Sequence, residues 1–452
     1  MVTCLKSAVL IIVLALFGAS AWAQSEPALE LPPPSSVEEI VSPLELSFAP
    51  KPERPRATEW LKDQLASSPP FLRDSKLNLH IRSGYFFQEQ FDNSKREAWA
   101  LGGWLEVQSG WLFDHLGVAA TVYTSQPLYA PLDRDGTLML EPGQNGFTVL
   151  GQAYGRIKIW EENEFRFFRQ AYDTPYLNKN DGRMVPNTFE GYTFRGAFGD
   201  EKTSGALKYV AGYVTKIKER NEDQFEWMSE DAGADVQRGT SMAGGLYTRG
   251  PWSLGVIDYY TADTLNILYA EAKHRWKLDE DWGLAVSAQY SDQQSVGENL
   301  LSGEPFHTGQ AGVALDLSYR NAVLTVAFTS TDSDRNMISP WSSYPGFTSC
   351  QVKDFNSAGE EAVMFKLSYD FKRFVEGLSA YALYSVGTGL RSSSTGDDVS
   401  NETEFDADVQ YRFQSDWLKG LSLRFRYGTV HESDEDRIHQ VRAFLNYDLP
   451  LL

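Results

Sequence analysis

Arg156 and Lys158 stand two residues apart, as do Arg424 and Arg426. Arg166 and Arg442 hold the same kind of place, an alternate position in a run whose other positions are largely apolar. A strand with a period of two carries one set on each face, so these cations lie opposite the hydrocarbon side chains. Guanidinium and ammonium groups arrayed in this way attract anions, and rings of them favour anionic groups in pores. A second account of the same residues is charge balance within the wall, with Glu106, Asp316, Asp406 and Asp408 as partners. The choice between them depends on the elements that carry the cations and on what lies to either side.

Alternation of this kind fills the chain from about Ser75 to its end. The last run is the clearest: Val441, Ala443, Leu445, Tyr447 and Leu449 alternate with Gln440, Arg442, Phe444, Asn446 and Asp448. About eighteen such runs can be counted, at 76–88, 97–110, 114–125, 146–160, 163–170, 187–198, 204–218, 238–250, 252–262, 264–277, 281–293, 307–320, 321–332, 360–373, 376–389, 402–415, 418–431 and 436–450. Tight turns at Glu161-Glu162-Asn163, Gly250-Pro251, Asp279-Glu280-Asp281 and Arg320-Asn321 alternate with long loops at 126–145, 171–186, 219–237, 294–306 and 333–359. A soluble sandwich has no reason to produce that rhythm. An up-and-down transmembrane barrel does, and an even strand number puts both termini on its short-turn, periplasmic rim. The expected fold is therefore all-β, a transmembrane antiparallel barrel of about eighteen strands in an outer membrane.

If the apolar faces meet lipid, Leu77, Leu79, Ile81, Tyr85 and Phe87 point out and Asn78, His80 and Arg82 point in. Likewise Val149, Ala153, Ile157 and Ile159 point out against Gln152, Tyr154, Arg156 and Lys158, and Phe165 and Phe167 point out against Arg166. Lys208, Lys216, Lys218, Arg320, Lys366, Arg412, Arg424, Arg426 and Arg442 join the inner set. A charge facing lipid at mid-membrane costs about 2–4 kcal/mol. That cost explains which face carries the cations but not why they are so many.

Lys6, the apolar stretch from Ala8 to Phe17, and Ala21-Trp22-Ala23 before Gln24 mark residues 1–23 as a secretory signal peptide. Elsewhere there is no apolar run of about eighteen residues to make a spanning helix. Cys4 lies ahead of the apolar stretch, and only Cys350 remains beyond it, so the exported chain forms no intramolecular disulfide. Residues 24–72 are Pro-rich and read as an extended periplasmic tether, or a plug, in which Thr58 to Leu65 has the pattern of two helical turns. Residues 73–452 are the barrel domain. With 61 acidic against 41 basic residues, nucleic acid is excluded as a partner. Outer-membrane lipid and small solutes are the partners expected, and a homo-oligomer is compatible with the pattern.

The remaining chemistry is sparse. His80, His115, His274, His307, His431 and His439 sit in no catalytic motif, so the chain does not read as an enzyme. Acidic stretches at Glu222-Asp223, Glu230-Asp231 and Asp434-Glu435-Asp436 are readable as solvated loop or as ligands for divalent cations between lipid headgroups. No cofactor or metal motif is present.

The opening of the barrel, Asp74-Ser75-Lys76-Leu77-Asn78-Leu79-His80-Ile81-Arg82, resembles that of the OprD family of outer-membrane porins. So does Gly182-Arg183-Met184-Val185-Pro186-Asn187-Thr188-Phe189-Glu190-Gly191, which is similar to the family segment closing the third outer loop. Tyr154-Gly155-Arg156 and Tyr213-Val214-Thr215-Lys216-Ile217-Lys218 fit the same framework. The resemblance spans roughly residues 73–452. It implies an eighteen-stranded unit, a third loop folded inward to narrow the pore, and a ladder of basic residues for carboxylate-bearing solutes. On that resemblance Arg183 falls at the constriction and Arg156, Lys158, Arg166, Arg424, Arg426 and Arg442 on the ladder. Two features depart from the family: the chain ends in Leu452 and not an aromatic residue, and the Pro-rich segment is longer.

The function expected is passive diffusion of small solutes bearing a carboxylate, organic acids or amino acids, with Trp104 and Tyr154 against the solute's apolar part. The alternatives are a general or sugar-selective porin, and a transporter of hydrophobic compounds with the N-terminal segment as plug.

Overall fold

Within hydrocarbon every backbone N–H and C=O must find its partner in the protein, and a closed ring of strands satisfies them all. The computed structural model, which describes residues 59–200, 205–392, 395–433 and 435–452, is such a ring. The segment expected to be a signal peptide and most of the Pro-rich segment lie outside the described residues. The first strands are β1 Lys76–Glu89, β2 Lys95–Gln108, β3 Leu116–Tyr129, β4 Phe147–Trp160, β5 Asn163–Gln170, β6 Thr188–Asp200 and β7 Gly205–Lys218. After the two-residue β8 Glu226–Trp227 come β9 Thr240–Arg249, β10 Trp252–Thr261, β11 Leu265–Lys277, β12 Trp282–Gln294 and β13 His307–Tyr319. The wall ends with β14 Ala322–Thr331, β15 Glu361–Asp370, β16 Leu378–Thr388, β17 Glu402–Arg412, β18 Leu421–Glu432 and β19 Arg437–Pro450.

Among the described residues, all but β8 form the wall, each antiparallel to its neighbours. The ring closes between β1 and β19 from Asn78↔Pro450 to Glu89↔His439. β8 only caps the upper end of β7, pairing Lys216↔Trp227 and Ile217↔Glu226, while β9 takes over as the wall partner of β7 below. Each of the eighteen runs read from alternation corresponds to one wall strand. The helical turns in the tether appear as α1 Glu59–Leu65, and α2 Pro70–Arg73 follows. Phe71 O accepts from Gly110 N (2.9 Å), tying α2 to the β2–β3 turn on the short-turn rim.

The two faces differ as a membrane wall requires. In β19, Leu445 is 43 % exposed to the outside while Gln440, Arg442 and Phe444 are buried within. Two bulges break the simple phase. Between β3 and β4, Thr121 pairs with Gln152 and Val122 with Leu150, leaving Gly151 over. An inserted residue reverses the faces beyond it, so Val149, expected toward lipid, packs inside with Phe86, Tyr123 and Met184. Between β6 and β7 Thr215 is the extra residue, and Ile217, not Lys216, joins Val214 in the interior. Arg320 also departs from expectation: it sits in the β13–β14 turn, paired with Asp281 at 2.9 Å.

The interior is filled from the long-loop rim. The third outer loop (171–187) enters between β5 and β6 and reaches both sides of the ring. Tyr176 packs against Tyr259, Tyr269 and Tyr344, and its hydroxyl donates to Ser291 Oγ on β12 (2.9 Å). Further along, Met184 and Val185 join Phe86, Tyr123 and Phe444 on the β1 side. The seventh loop (332–360) folds in as well, with Trp341 fully buried and its Nε1 donating to Met228 O of the fourth loop (2.8 Å).

Wall hydrogen bonding does not pass through this loop core, so the two should fail separately. Detergent-extracted protein should be strand-rich by circular dichroism and migrate differently on gels before and after heating. Trp341→Ala, which costs about 3–5 kcal/mol at a buried aromatic, should leave both properties intact while making the outer loops protease-sensitive. A helix-dominated spectrum would contradict the fold, and loss of the heat-modifiable form in Trp341→Ala would show that the wall leans on its loops.

Candidate functional site

Where the third loop meets the wall, strand phase delivers charge to one place. Arg82 rises from the inner face of β1 and binds the loop by three bonds. Nη1 donates to Asp181 Oδ1 (2.5 Å) and to Arg183 O (2.6 Å), and Nη2 to Asp181 Oδ2 (3.2 Å). This ion pair fixes the loop tip against β1, and Asn446 Oδ1 on β19 accepts from Arg82 Nε (2.8 Å), aiming the guanidinium.

Arg183 follows on the loop and is 7 % exposed. Its Nε donates to Thr137 O of the second loop (2.8 Å) and its Nη1 to Gly182 O (2.9 Å). Its guanidinium carbon lies 4.6 Å from the centre of the Phe86 ring, and that of Arg442 lies 5.6 Å from the same ring, so one aromatic face organises two cations. Arg442 donates from Nε to Gln440 Oε1 (2.6 Å) and from Nη2 to Gln351 O (2.8 Å). Among the described residues neither arginine has a carboxylate within ion-pair distance. Burial, then the neighbouring Arg442, Arg220 and Arg426 cations, push the Arg183 guanidinium down from its ordinary value. Arginine stays charged in proteins, so positive charge is concentrated here.

The rest of the ladder divides. Arg424 and Arg426 line the same cavity, but both pair with Asp408, Arg424 Nη2 at 2.8 Å and Arg426 Nε at 2.9 Å, as charge balance within the wall requires. Arg156, Lys158 and Arg166 are not brought to Arg183. They group near the short-turn rim, where Arg156 lies 4.1 Å and Lys158 6.0 Å from the Trp111 ring and Arg156 Nη2 donates to Ser109 O (2.6 Å). Arg166 pairs with Glu164 and stacks 4.9 Å from Tyr154. Trp104 lies parallel to His80, ring centres 3.7 Å apart, and faces Arg82 at 5.1 Å. The two groups are thus separate stations along the wall.

Sequence reading missed the seventh loop's contribution. Three consecutive backbone N–H groups, those of Gln351, Val352 and Lys353, donate to Asp406 Oδ2 (2.9 Å), Glu404 Oε1 (2.8 Å) and Glu404 Oε2 (2.8 Å) on β17. Lys353 Nζ then bridges Glu402 (2.8 Å) and Glu432 (2.7 Å). Glu404 and Asp406 converge with Cys350, but their oxygens are largely spent on this backbone clasp. The acids hold the loop, and the loop presents Gln351 O to Arg442. No pattern in the sequence pairs β17 acids with backbone donors fifty residues away.

The third, fourth and seventh loops and the inner face of the wall from β12 round to β2 line a cavity of about 810 Å³, with Arg82, Arg183, Arg220, Lys366, Arg426 and Arg442 among the residues on it. It suits a small polar solute.

No curated protein matches the chain. Among solved structures it is similar to Pseudomonas aeruginosa OccK9 (OpdG), with 24% identity and a TM-score of 0.76 over 84% of this chain and 100% of that one. Acinetobacter baumannii OccAB3 gives 16% identity and a TM-score of 0.76 over 83% and 99%. Pseudomonas aeruginosa OpdK with vanillate gives 21% and 0.74 over 84% and 100%. These likenesses carry the fold. The model of the outer membrane porin OprD family matches residues 69–451, and the chain belongs to that family.

Proposed function

We propose that the protein lets small carboxylate-bearing solutes, organic acids or amino acids, diffuse passively across the outer membrane, with no energy source, cofactor or chemical step. Lipid surrounds the wall, and the chain termini and short turns face the periplasm. Residues 1–23 direct export, and the Pro-rich segment to residue 72 is a periplasmic tether. One observation carries the reading: Arg183 and Arg442 face the cavity with guanidinium donors that no carboxylate of the described protein engages. Guanidinium binds carboxylate through two parallel hydrogen bonds, and permeation requires each such contact to be weak enough to release. Competing protein acceptors on both arginines meet that second condition. The OpdK structure with vanillate, an aromatic carboxylate, lends support from a protein of the same fold.

A solute leaving the constriction would next pass the His80–Trp104 stack, then Arg156 and Arg166 with Tyr154 at the periplasmic mouth. Cation and aromatic surface alternate along that path.

In planar bilayers, benzoate should block ion current through the wild-type channel and a neutral sugar of similar size should not. Arg183→Ala should weaken the block roughly tenfold, the worth of one charged hydrogen bond of about 1.5 kcal/mol, while neutral-solute flux stays equal or rises. Arg183→Lys should keep anion preference but lose discrimination between carboxylates. Equal block by sugar and benzoate in the wild type, or unchanged relative rates in Arg183→Ala, would return the protein to a general porin.

Arg82→Ala should act differently, because its bonds hold the loop and not the solute. Single-channel current should become larger and noisier as the third loop loses its tie, and Asp181→Asn should give a milder version of the same change. A quiet channel of unchanged current in Arg82→Ala would mean that the apolar contacts of Met184 and Val185 hold the loop alone.

A further inference from the structure

Gly182 sits between three guanidinium groups. A Cβ placed on it would lie 3.8 Å from Arg220 Nη1 and 3.8 Å from Arg442 Nη1, with no other atom so near. Arg183 is the next residue. The gap is bounded by the third loop, by Arg220 from the fourth loop and by Arg442 from β19, and all four residues line the cavity. Gly182 has an ordinary backbone conformation, so the missing side chain answers to space and not to a turn.

The protein leaves these cations uncompensated in a specific way. Arg220 donates from Nη1 to Asn180 Oδ1 (3.0 Å), a neutral amide. Arg442 and Arg183 donate to amide and carbonyl oxygens, and Arg442 Nη1 and Arg183 Nη2 make no bond among the described residues. The nearby acids are already engaged: Asp181 by Arg82 and Asp408 by Arg424 and Arg426, while Asp406 and Glu404 bind backbone N–H groups of the seventh loop and offset Arg442 only from beyond ion-pair distance. Glu219 and Asp181 offset Arg220 only from beyond ion-pair distance. Arg442 also stands directly opposite Arg426 across the β18–β19 ladder, a like-charge pairing that is unfavourable unless something between relieves it. One carboxylate occupies one guanidinium fork and leaves two cations of the three unanswered.

We propose that Arg183, Arg220 and Arg442 around Gly182 form a seat for a doubly charged oxyanion, the chemistry shared by a short dicarboxylate and by phosphate, and that Arg220 is the residue that sets this preference. The inference rests on the carboxylate reading above and narrows it. Arg183 and Arg442 recognise the first charge. Arg220, from the fourth loop, acts when a second charge is present.

The test compares succinate, its monoamide succinamate and neutral succinamide, three solutes of nearly one size, as blockers of single-channel current at pH 7.5, with inorganic phosphate as a fourth. In the wild type, succinate should block about tenfold more strongly than succinamate, and succinamate more strongly than succinamide. Arg220→Gln should bring the succinate-to-succinamate ratio close to one. Gly182→Ala, whose methyl fits but occupies the gap, should do the same. Arg320→Gln, on the far rim, should leave the ratio at its wild-type value, and heat-modifiable migration shows that each variant is folded. Phosphate blocking as well as succinate assigns the seat to a single compact dianion, and succinate alone assigns it to two separated charges. Equal block by succinate and succinamate in the wild type, or a ratio unchanged in Arg220→Gln, overturns the proposal while the carboxylate reading stands. Equal block by succinamate and succinamide overturns the carboxylate reading as well.

Discussion

Closure of β1 on β19 is the constraint from which the rest of this molecule follows. With that seam made, from Asn78↔Pro450 to Glu89↔His439, no backbone edge is left for lipid to meet. The closed wall has only two faces, so each charged strand residue must go inward or pay about 2–4 kcal/mol in hydrocarbon. Crowding of cations in the lumen is the result. Arg426 and Arg442 end up opposite one another because β18 and β19 are neighbours and their inner phases coincide. A soluble sheet would have turned one of them to water.

That crowding explains why the interior is clasped by polar bonds and not by apolar packing alone. The third loop is pinned by Arg82 to Asp181, and the seventh by Glu404 and Asp406 to three successive N–H groups. Each clasp consumes charge that would otherwise compete with a solute. Asp408 does the same for Arg424 and Arg426. What the protein leaves unanswered is therefore selective: of the arginines around the constriction, those facing Gly182 have only neutral acceptors.

Strand count, strand limits and the inward face of Arg82, Arg424, Arg426 and Arg442 were legible in the sequence because a period of two persists over ten or more residues. Val149 and Lys216 were not, since one unpaired residue, Gly151 or Thr215, inverts the phase and leaves no compositional mark beyond an ordinary glycine or threonine. Arg183 was singled out only through the resemblance of its segment to a family motif, because it lies in a loop with no periodicity of its own. Arg220 was invisible. It too lies in a loop, where no periodicity constrains direction, and its role depends on a fourth loop folding toward a third. The separation of Arg156, Lys158 and Arg166 from Arg183 could not be read either, because phase gives the face of a strand but not the height at which partners on other strands stand.

Height matters for mechanism. Two cationic stations at different levels, one with unanswered guanidinium groups beside Phe86 and one with Arg156 and Arg166 stacked on Trp111 and Tyr154, differ in strength for a physical reason. Near the short-turn rim Arg166 already has Glu164, so an anion there would have to compete with a fixed one. Beside Arg183 and Arg442 it would compete for hydrogen bonds only with neutral carbonyl and amide oxygens. On the function proposed above, a carboxylate solute would therefore be held more firmly at the loops than below. On that reading release downward needs only a concentration difference, and a closed wall allows it with no moving part.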